Sequence, residues 1–339
     1  MTETILVTGG AGFIGSHTVL ELLEAGHKVL VLDNYSNSHP KSLEVVKELT
    51  GQAFPIYEGD VRDRDLLRQI FSQHNVTGVI HFAGFKAVGE SVQQPLVYYD
   101  NNVVGLLRLL DVMEEVGCKN LIFSSSATVY GHPHKLPIRE DFPLSVTNPY
   151  GRTKLMSEEI LRDLYAKDQT WNLVILRYFN PIGAHPSGRL GEYPQGVPTN
   201  LVPYITQVAS GCRDHVRVFG DDYDTLDGTG VRDYIHIVDL SQGHVAAMKK
   251  WLPGSGLSLY NLGTGKGYSV LEMIQGLSQA VGHEIPYKIY KRRPGDIASC
   301  YADPSKAQQE LGWTAQMTLE DMCRHAWNWQ CLNPKGFQD

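Results

Sequence analysis

Residues 4–33 read as strand, glycine turn, helix, strand and acid in quick succession, and few folds accept that order. Thr4-Ile5-Leu6-Val7-Thr8 is a short apolar run that breaks into Gly9-Gly10-Ala11-Gly12-Phe13-Ile14-Gly15. A helical pattern through Val19, Leu22 and Leu23 stops at Ala25-Gly26, and His27 to Asp33 reads as a second buried strand. Gly10-x-Gly12-x-x-Gly15 fits a dinucleotide fingerprint, with Gly9 adding a second glycine register over the same turn. Glycines permit the tight turn and let the backbone approach a pyrophosphate, which the helix N-terminus then stabilises. Asp33 follows Gly15 by eighteen residues, where a carboxylate can accept bonds from an adenosine ribose diol. It would repel a 2′-phosphate, so the expected cofactor is NAD rather than NADP. A glycine turn can also serve only to pack a helix on a sheet. The register of strand, helix, strand and acid together selects the nucleotide reading.

The alternation continues. Ala53 to Asp60 reads as a third strand with Asp60-Val61 at its end, and Asp65 to Phe71 as a helix. Val79-Ile80-His81-Phe82-Ala83-Gly84 reads as a fourth strand, followed by Phe85-Lys86. A long helix through Val103, Leu106, Leu107, Leu110 and Met113 stops at Gly117, and Asn120 to Phe123 leads into Ser124-Ser125-Ser126. Leu173 to Pro181 is a sixth strand, closed by its proline. Strands alternating with helices imply a parallel sheet with right-handed crossovers, with ligands at the carboxyl ends of the strands. Asp33, Asp60, Ala83-Gly84, Lys86 and Ser126 all fall at such ends. The expected fold is α/β: a Rossmann-like doubly wound parallel sheet over residues 1–180, with a smaller α/β substrate-binding domain over 181–339. The boundary is drawn from glycines and prolines crowding 183–200. Beyond it, Arg217-Val218-Phe219-Gly220, Gly230-Val231-Arg232-Asp233-Tyr234 and Arg292-Arg293-Pro294-Gly295-Asp296 set arginines beside glycines. Arginine forks bind phosphate oxygens well, and two separated arginine sites suit a diphosphate, although any one of them also reads as surface charge. The 302–331 segment reads as helical and amphipathic, its Leu311, Trp313, Met322, Trp327 and Trp329 explained by core packing.

Midway along the chain, Tyr150 and Lys154 stand four residues apart within Asn148 to Asp168, a helical stretch. Residues at that spacing share a helix face. A free phenol must drop by roughly three pKa units, about 4 kcal/mol, to be half ionised at pH 7. One positive charge at 4 Å is worth about 4 kcal/mol at an effective dielectric of 20, before desolvation takes some back. Lys154 and a second fixed positive charge, such as an oxidised nicotinamide, would together make Tyr150 a proton acceptor. The pair alone is weak, since Tyr and Lys at this spacing also occur on surface helices.

Composition removes other classes. A net charge of −7 argues against a nucleic-acid partner, which needs a basic face. Cys118, Cys212, Cys300, Cys323 and Cys331 have no C-x-x-C spacing, so neither zinc nor a disulfide framework is expected, and they read as reduced thiols of a cytoplasmic protein. Met1-Thr2-Glu3 runs straight into the first strand with no signal peptide, and no apolar stretch approaches the ~18 residues of a membrane span. Ser124-Ser125-Ser126-Ala127-Thr128 is not a hydrolase nucleophile elbow. His132-Pro133-His134, with no third ligand nearby, reads as exposed rather than metal-binding.

Thr8 to His17, His81 to Ser91, Ser124 to Gly131, Asn148 to Lys154, Arg177 to Pro181 and Gly228 to His236 together resemble the UDP-galactose 4-epimerases of the extended short-chain dehydrogenase/reductases, essentially end to end. The resemblance implies a tightly held NAD, reduced and reoxidised within one turnover, and a UDP-hexose substrate whose C4 is oxidised and then reduced on its other face. It implies Tyr150, Lys154 and Ser126 as catalytic residues: Tyr150 takes the 4-hydroxyl proton, Ser126 bonds the C4 oxygen, and Lys154 binds the ribose and tunes Tyr150. Around NAD it implies Gly9, Gly12, Phe13, Ile14, Gly15, Asp33 and Asn34, then Asp60, Val61, Phe82, Ala83, Gly84, Lys86, Asn101, Tyr178 and Phe179, besides the catalytic three. Around the UDP-sugar it implies Lys86, Asn180, Asn200, Leu201, Arg217, Val218, Phe219, Arg232, Arg293, Asp296 and Cys300, besides Ser126 and Tyr150. It also implies that about 231–265 return to the first domain, and a homodimer paired through the helix from Leu96 to Val116. Pro198-Thr199-Asn200-Leu201 departs from the family's Pro-Asn-Asn-Leu. Cys300 stands where members carry a bulky tyrosine or a small residue, so UDP-N-acetylhexosamines are expected to fit as well. The nearest rival, a nucleotide-sugar 4,6-dehydratase, needs an acid beside the catalytic hydroxyl, and Ala127-Thr128-Val129 supply none. A non-catalytic NAD-binding scaffold would have no use for Ser126, Tyr150 and Lys154 together.

Overall fold

Strands β1 (Thr4–Thr8), β2 (Lys28–Asp33), β3 (Ile56–Glu58), β4 (Gly78–His81), β5 (Asn120–Ser126) and β6 (Asn172–Tyr178) alternate with helices through the first half of the chain. The computed structural model describes residues 3–293 and 295–337; expectations resting on Met1-Thr2 and on Pro294 lie outside the described residues. The smaller strands are β7 (Asn180–Ile182), β8 (Val216–Phe219), β9 (Val231–His236), β10 (Leu257–Leu262), β11 (Gly267–Ser269), β12 (Tyr287–Tyr290) and β13 (Ser299–Cys300).

Seven strands form one parallel sheet in the order β10-β6-β5-β4-β1-β2-β3. The near-continuous apolar runs of the sequence follow from covering both faces of such a sheet. Along β1, Ile5 and Val7 enter one core and Leu6 the other; along β6, Val174 and Leu176 oppose Leu173 and Ile175 in the same way. The fold is the doubly wound α/β sheet of Rossmann type.

Several boundaries differ from the sequence reading, each for a local reason. The third strand starts only at Ile56, after Pro55, which has no N–H for the ladder and gives only its carbonyl to Val31 N at 3.0 Å. The long helix is broken into Val88–Gln93 and Pro95–Tyr98, a wide turn at Tyr99–Val104 and then Gly105–Val116. Pro95 starts its own short helix, and the wide turn has five-residue rather than four-residue spacing. The sixth strand ends at Tyr178 rather than Pro181. Phe179 N still bonds Leu262 O at 3.2 Å, but Asn180–Ile182 turns away to pair with β9. The C-terminal segment is two helices: Ser305–Leu311 ends at Gly312 in the left-handed region, and Leu319–Leu332 starts from a Thr318–Asp321 capping box.

β10 pairs with β6 from Leu257↔Leu173 to Leu262↔Tyr178, so residues far along the chain complete the first sheet. Just before it, the helix Ile237–Ala247 packs against the helix Phe13–Glu24. The second sheet centres on β9, flanked by β7, β11 and β13, and β8 pairs with β12 beside it. A third core containing Ile205, Val218, Met273, Leu277 and Met322 supports this part.

Candidate active site

The order of the large sheet reverses between β1 and β4, and there the chain ends of the two strands diverge into a crevice. Gly9 follows β1 with φ +73°, and a Cβ on it would stand 2.6 Å from Ala83 N, just beyond β4. A Cβ on Gly15 would stand 2.2 Å from Gly9 O, so the turn and the helix behind it close only on glycine. A Cβ on Gly12 would meet nothing nearer than Gly9 O at 3.4 Å; its side of the turn is open. Gly12 caps the helix Phe13–Glu24 without any side-chain bond, and the first turn carries no acid. Such an uncapped terminus favours an anion. The cradle therefore fits the pyrophosphate of a dinucleotide.

Around it lies a cleft of about 590 Å³, lined by Gly9, Gly12, Phe13, Ile14 and Gly15 at the cradle. Asp33, Asn34, Asp60 and Val61 line it from the ends of β2 and β3. Phe82, Ala83, Gly84, Lys86 and Asn101 line it from the β4 side, and Tyr150, Lys154 and Tyr178 from the far end. Asp33 is buried; its Oδ2 accepts from Ala11 N at 2.8 Å, and its Oδ1 from Tyr35 N at 2.9 Å and Ser38 Oγ at 2.7 Å. These bonds aim the carboxylate and leave it lone-pair capacity for a diol. Asp60 is held by Arg62 and Asn34, and bonding to Arg62 brings its carboxyl down to about 2.

The helix Pro149–Lys167 starts at Asn148, whose side chain accepts from Gly151 N at 2.9 Å, with Pro149 in the first position. That start places Tyr150 in the first turn, buried and facing Ser126. Lys154 lies one turn on, also buried, its Nζ donating to Ser124 O at 2.5 Å and standing 6.0 Å from the centre of the Tyr150 ring. Burial lowers the Lys154 ammonium to about 8, with the Glu158 carboxylate acting in the opposite sense. Burial raises the Tyr150 phenol above its usual value, and the bond to Ser126 only partly offsets this. Lys154 thus does not by itself ionise Tyr150. The second positive charge that the sequence reading invoked has to come with the cofactor.

Two buried histidines stand behind this group and are neutral. Burial brings His81 down to about 3, with the Lys154 charge adding to the effect, and its Nδ1 lies 2.7 Å from Thr8 Oγ1. Burial brings His244 down to about 4; its Nδ1 faces Leu240 O at 2.8 Å, so Nε2 accepts from the Tyr178 hydroxyl at 2.5 Å.

Sequence and structure comparisons agree on the kinship. A family model described as GDP-mannose 4,6 dehydratase matches residues 6–326. The UDP-glucose 4-epimerase of Bacillus subtilis is 57% identical over 334 residues, 98% of each chain. That of Homo sapiens is 57% identical over 344 residues, 99% of each. A crystal structure of the Bifidobacterium longum UDP-glucose 4-epimerase in complex with NAD+ and UDP superposes with a TM-score of 0.95 at 57% identity, covering 98% of this chain and 100% of that one. The chain belongs to the UDP-glucose 4-epimerase family, among the extended short-chain dehydrogenase/reductases.

The remaining residues expected from that family fall in three places. Asn200 lines the cleft and donates to Glu192 Oε1 at 2.7 Å, with Leu201 beginning the helix behind it. Lys86 Nζ reaches the same Glu192 oxygen at 3.1 Å. Ser126 and Phe179 stand at the ends of β5 and β6, Ser126 accepting from Thr128 N at 3.2 Å and Phe179 packed with Val129 and Ile138. Phe219, Arg232, Arg293, Asp296 and Cys300 form a separate group among the second sheet's edges and loops. There Arg293 lies over the Phe219 ring at 4.9 Å and bonds Asp296 at 2.8 Å, and the Arg232 charge reaches Cys300. Burial pushes the Cys300 thiol up to about 11. Arg217 is exposed on β8 and Asn180 exposed on β7. Val218 sends its side chain into the third core, leaving only its backbone for a ligand.

The sequence reading missed Glu192 and the wall it belongs to. Residues 191–195 line the cleft opposite the cradle, with Gln195 Nε2 donating to Ser38 O at 3.2 Å and Glu192 O accepting from Trp329 Nε1 at 3.0 Å. A lone acid in a glycine- and proline-rich stretch carries no sequence signal for that. His132 and His134 are exposed, and among the described residues no group of histidine, cysteine, aspartate or glutamate could hold a metal ion. All five cysteines are free, and no helix among the described residues is long and apolar enough to cross a membrane.

Proposed function

We propose that this chain interconverts UDP-galactose and UDP-glucose through transient oxidation at C4 of the hexose. The observation that carries the reading is the buried Tyr150, facing Ser126 and one helical turn from Lys154, on the wall of a cleft whose other end is the glycine cradle. NAD, held by the cradle, Asp33 and Lys154, would supply hydride uptake and return at C4. Ser126 orients the C4 oxygen toward Tyr150, and Tyr150 Oη takes the hydroxyl proton and later gives it back. Such general acid–base assistance contributes about 10²–10⁴-fold. Lys154, tied to the Ser124 carbonyl, fixes the ribose and adds the nearest positive charge of the chain to Tyr150. The arginines of the second group, Arg232 and Arg293, with Phe219 and Asp296, hold the UDP while the 4-keto sugar turns.

No acid flanks Ser126 in the turn Ala127–Tyr130, which leaves the elimination step of a 4,6-dehydratase without its proton donor. The deciding assay is epimerisation of UDP-galactose by the purified protein with no NAD added. Conversion to UDP-glucose, with reduced-nicotinamide absorbance growing on addition of UDP-sugar, is the expected result. No conversion by protein that carries NAD would end the reading.

Cys300 is small and lies near Arg232, which fits a pocket that also admits a 2-acetamido group. Cys300→Tyr is expected to abolish turnover of UDP-N-acetylgalactosamine while retaining that of UDP-galactose. Equal turnover of both sugars in the variant would rule the gate out.

The protein pairs with a second copy of itself in this reading. Val88, Val92, Leu96, Val97 and Leu107 are exposed on neighbouring helices, Leu96 at 80%, where a monomer would place polar groups. Leu96→Glu should convert a dimer to a monomer in sedimentation velocity, and a wild-type monomer at micromolar concentration would refute the pairing. The free thiols fit a cytoplasmic setting.

A further inference from the structure

Three residues of the helix Pro149–Lys167, four apart, meet three consecutive serines at the end of β5. Tyr150 faces Ser126, Lys154 bonds the carbonyl of Ser124, and Glu158 Oε1 accepts from Ser125 Oγ at 2.6 Å. Glu158 is fully buried, unlike its exposed neighbour Glu159, and the reaction sketched above does not use it. Arg177 of β6 grips it with both arms of its fork, Nε to Oε1 at 2.9 Å and Nη2 to Oε2 at 2.6 Å, and Arg162 adds a bond at 3.0 Å. Burial acts to raise the Glu158 carboxyl, but the bonds and charge of Arg177 hold it below the usual range, so it stays a carboxylate. A buried ion pair of this kind is weak as a source of stability, because apolar residues of the same volume often do as well. Its place one turn from Lys154 suggests a different role.

The elements packed against the helix carry Glu90, Tyr98, Tyr99 and Asp100 on the segment 88–104, Tyr130 of the turn after β5, and Arg177 and Tyr178 of β6; the helix itself adds Arg152, Glu159, Arg162, Asp163, Tyr165 and Lys167, and His81 of β4 feels the Lys154 charge. His81 and Tyr178 are neutral, Tyr98 is bonded to Glu90 at 2.7 Å, Asp100 pairs with Arg62, and Tyr130 lies under the Arg177 guanidinium at 4.7 Å. None of these is a negative charge acting on Lys154; that of Glu158 is.

We propose that Glu158 is a positioning residue for the proton-handling pair: its bond to Ser125 keeps Tyr150 in register with Ser126, and it sets a buried carboxylate one helical turn beyond Lys154. This rests on the Tyr150–Lys154 reading of the function. Lys154 works protonated and already sits low because it is buried. Removing the Glu158 charge lowers it further, so activity is lost from the alkaline side.

The test is the pH profile of kcat/KM for UDP-galactose in Glu158→Gln, which keeps the shape and removes the charge. Because an unpaired Arg177 can stop that variant folding, E158Q/R177M is made alongside it. E158Q should show the alkaline limb moved toward acid by about one pH unit, a roughly tenfold loss on the limb, and E158Q/R177M, which also removes the Arg177 charge, a smaller shift in the same direction. Ser125→Ala keeps the charge, so its limb should stay where the wild type has it while kcat falls at every pH. A limb that stays in place in the charge-removed variants, or moves as far in S125A, overturns the proposal. Full turnover in Tyr150→Phe would instead sink the functional reading, whereas an unmoved limb in an enzyme that Y150F inactivates sinks this inference alone.

Discussion

Tyr150→Phe is expected to lower kcat by about three orders of magnitude, the middle of the range for general acid–base assistance, while NAD content and UDP affinity stay within twofold of the wild type. The phenylalanine ring fills the same buried site, so packing is kept. The lost hydroxyl faces Ser126, whose Oγ still accepts from Thr128 Oγ1 at 3.0 Å. Rapid-quench turnover alongside UDP titration checks this. A variant with more than a tenth of wild-type kcat would show that the proton leaves by another route.

The second large effect is at the cradle. Gly15→Ala puts a Cβ 2.2 Å from Gly9 O and 2.8 Å from Gly10 Cα, both backbone atoms, so the turn must open. Overpacking of this kind costs about 1–3 kcal/mol of stability. The amides that face the pyrophosphate move with the turn, and we expect at least a hundredfold loss of NAD affinity, about 2.7 kcal/mol. Gly12→Ala separates the two causes. Its Cβ would make only one ordinary contact within the protein, at 3.4 Å, so the variant should melt as nucleotide-free wild type does. The added methyl still stands on the ligand's side, and NAD should be lost all the same. Nucleotide released on acid denaturation, measured beside the melting temperature, reads both variants; full NAD occupancy in Gly15→Ala would contradict the cradle.

The glycine turn, the strand ends and the Tyr150–Lys154 spacing were legible in the sequence because each is fixed by neighbours within a few residues. A glycine at φ +73° and a pair sharing one helix face are local facts. What escaped depends on distant partners. Glu158 looks like any helical surface acid until Arg177 and Ser125 close on it, and Glu192 like any loop acid until Lys86 and Asn200 meet there. The wide turn at Tyr99–Val104 buries Asn101 and Asn102, whose side chains bond each other at 2.9 Å and tie Phe85 to Thr153. An apolar pattern through that stretch is equally consistent with one unbroken helix. The thirteenth-strand cysteine was placed by family likeness, and its burial follows from an apolar cluster with Ile138 and Phe179 that no spacing announces.

β10 has one further consequence, for how the protein can be made. Its six residues flank β6 only after the chain has passed through β7, β8 and β9. During synthesis the edge of β6 therefore stands bare while some eighty more residues emerge, a wait long enough for foreign strands to seize it. The same lacing means that a cut at residue 180 would leave β6 as an open edge of the large sheet.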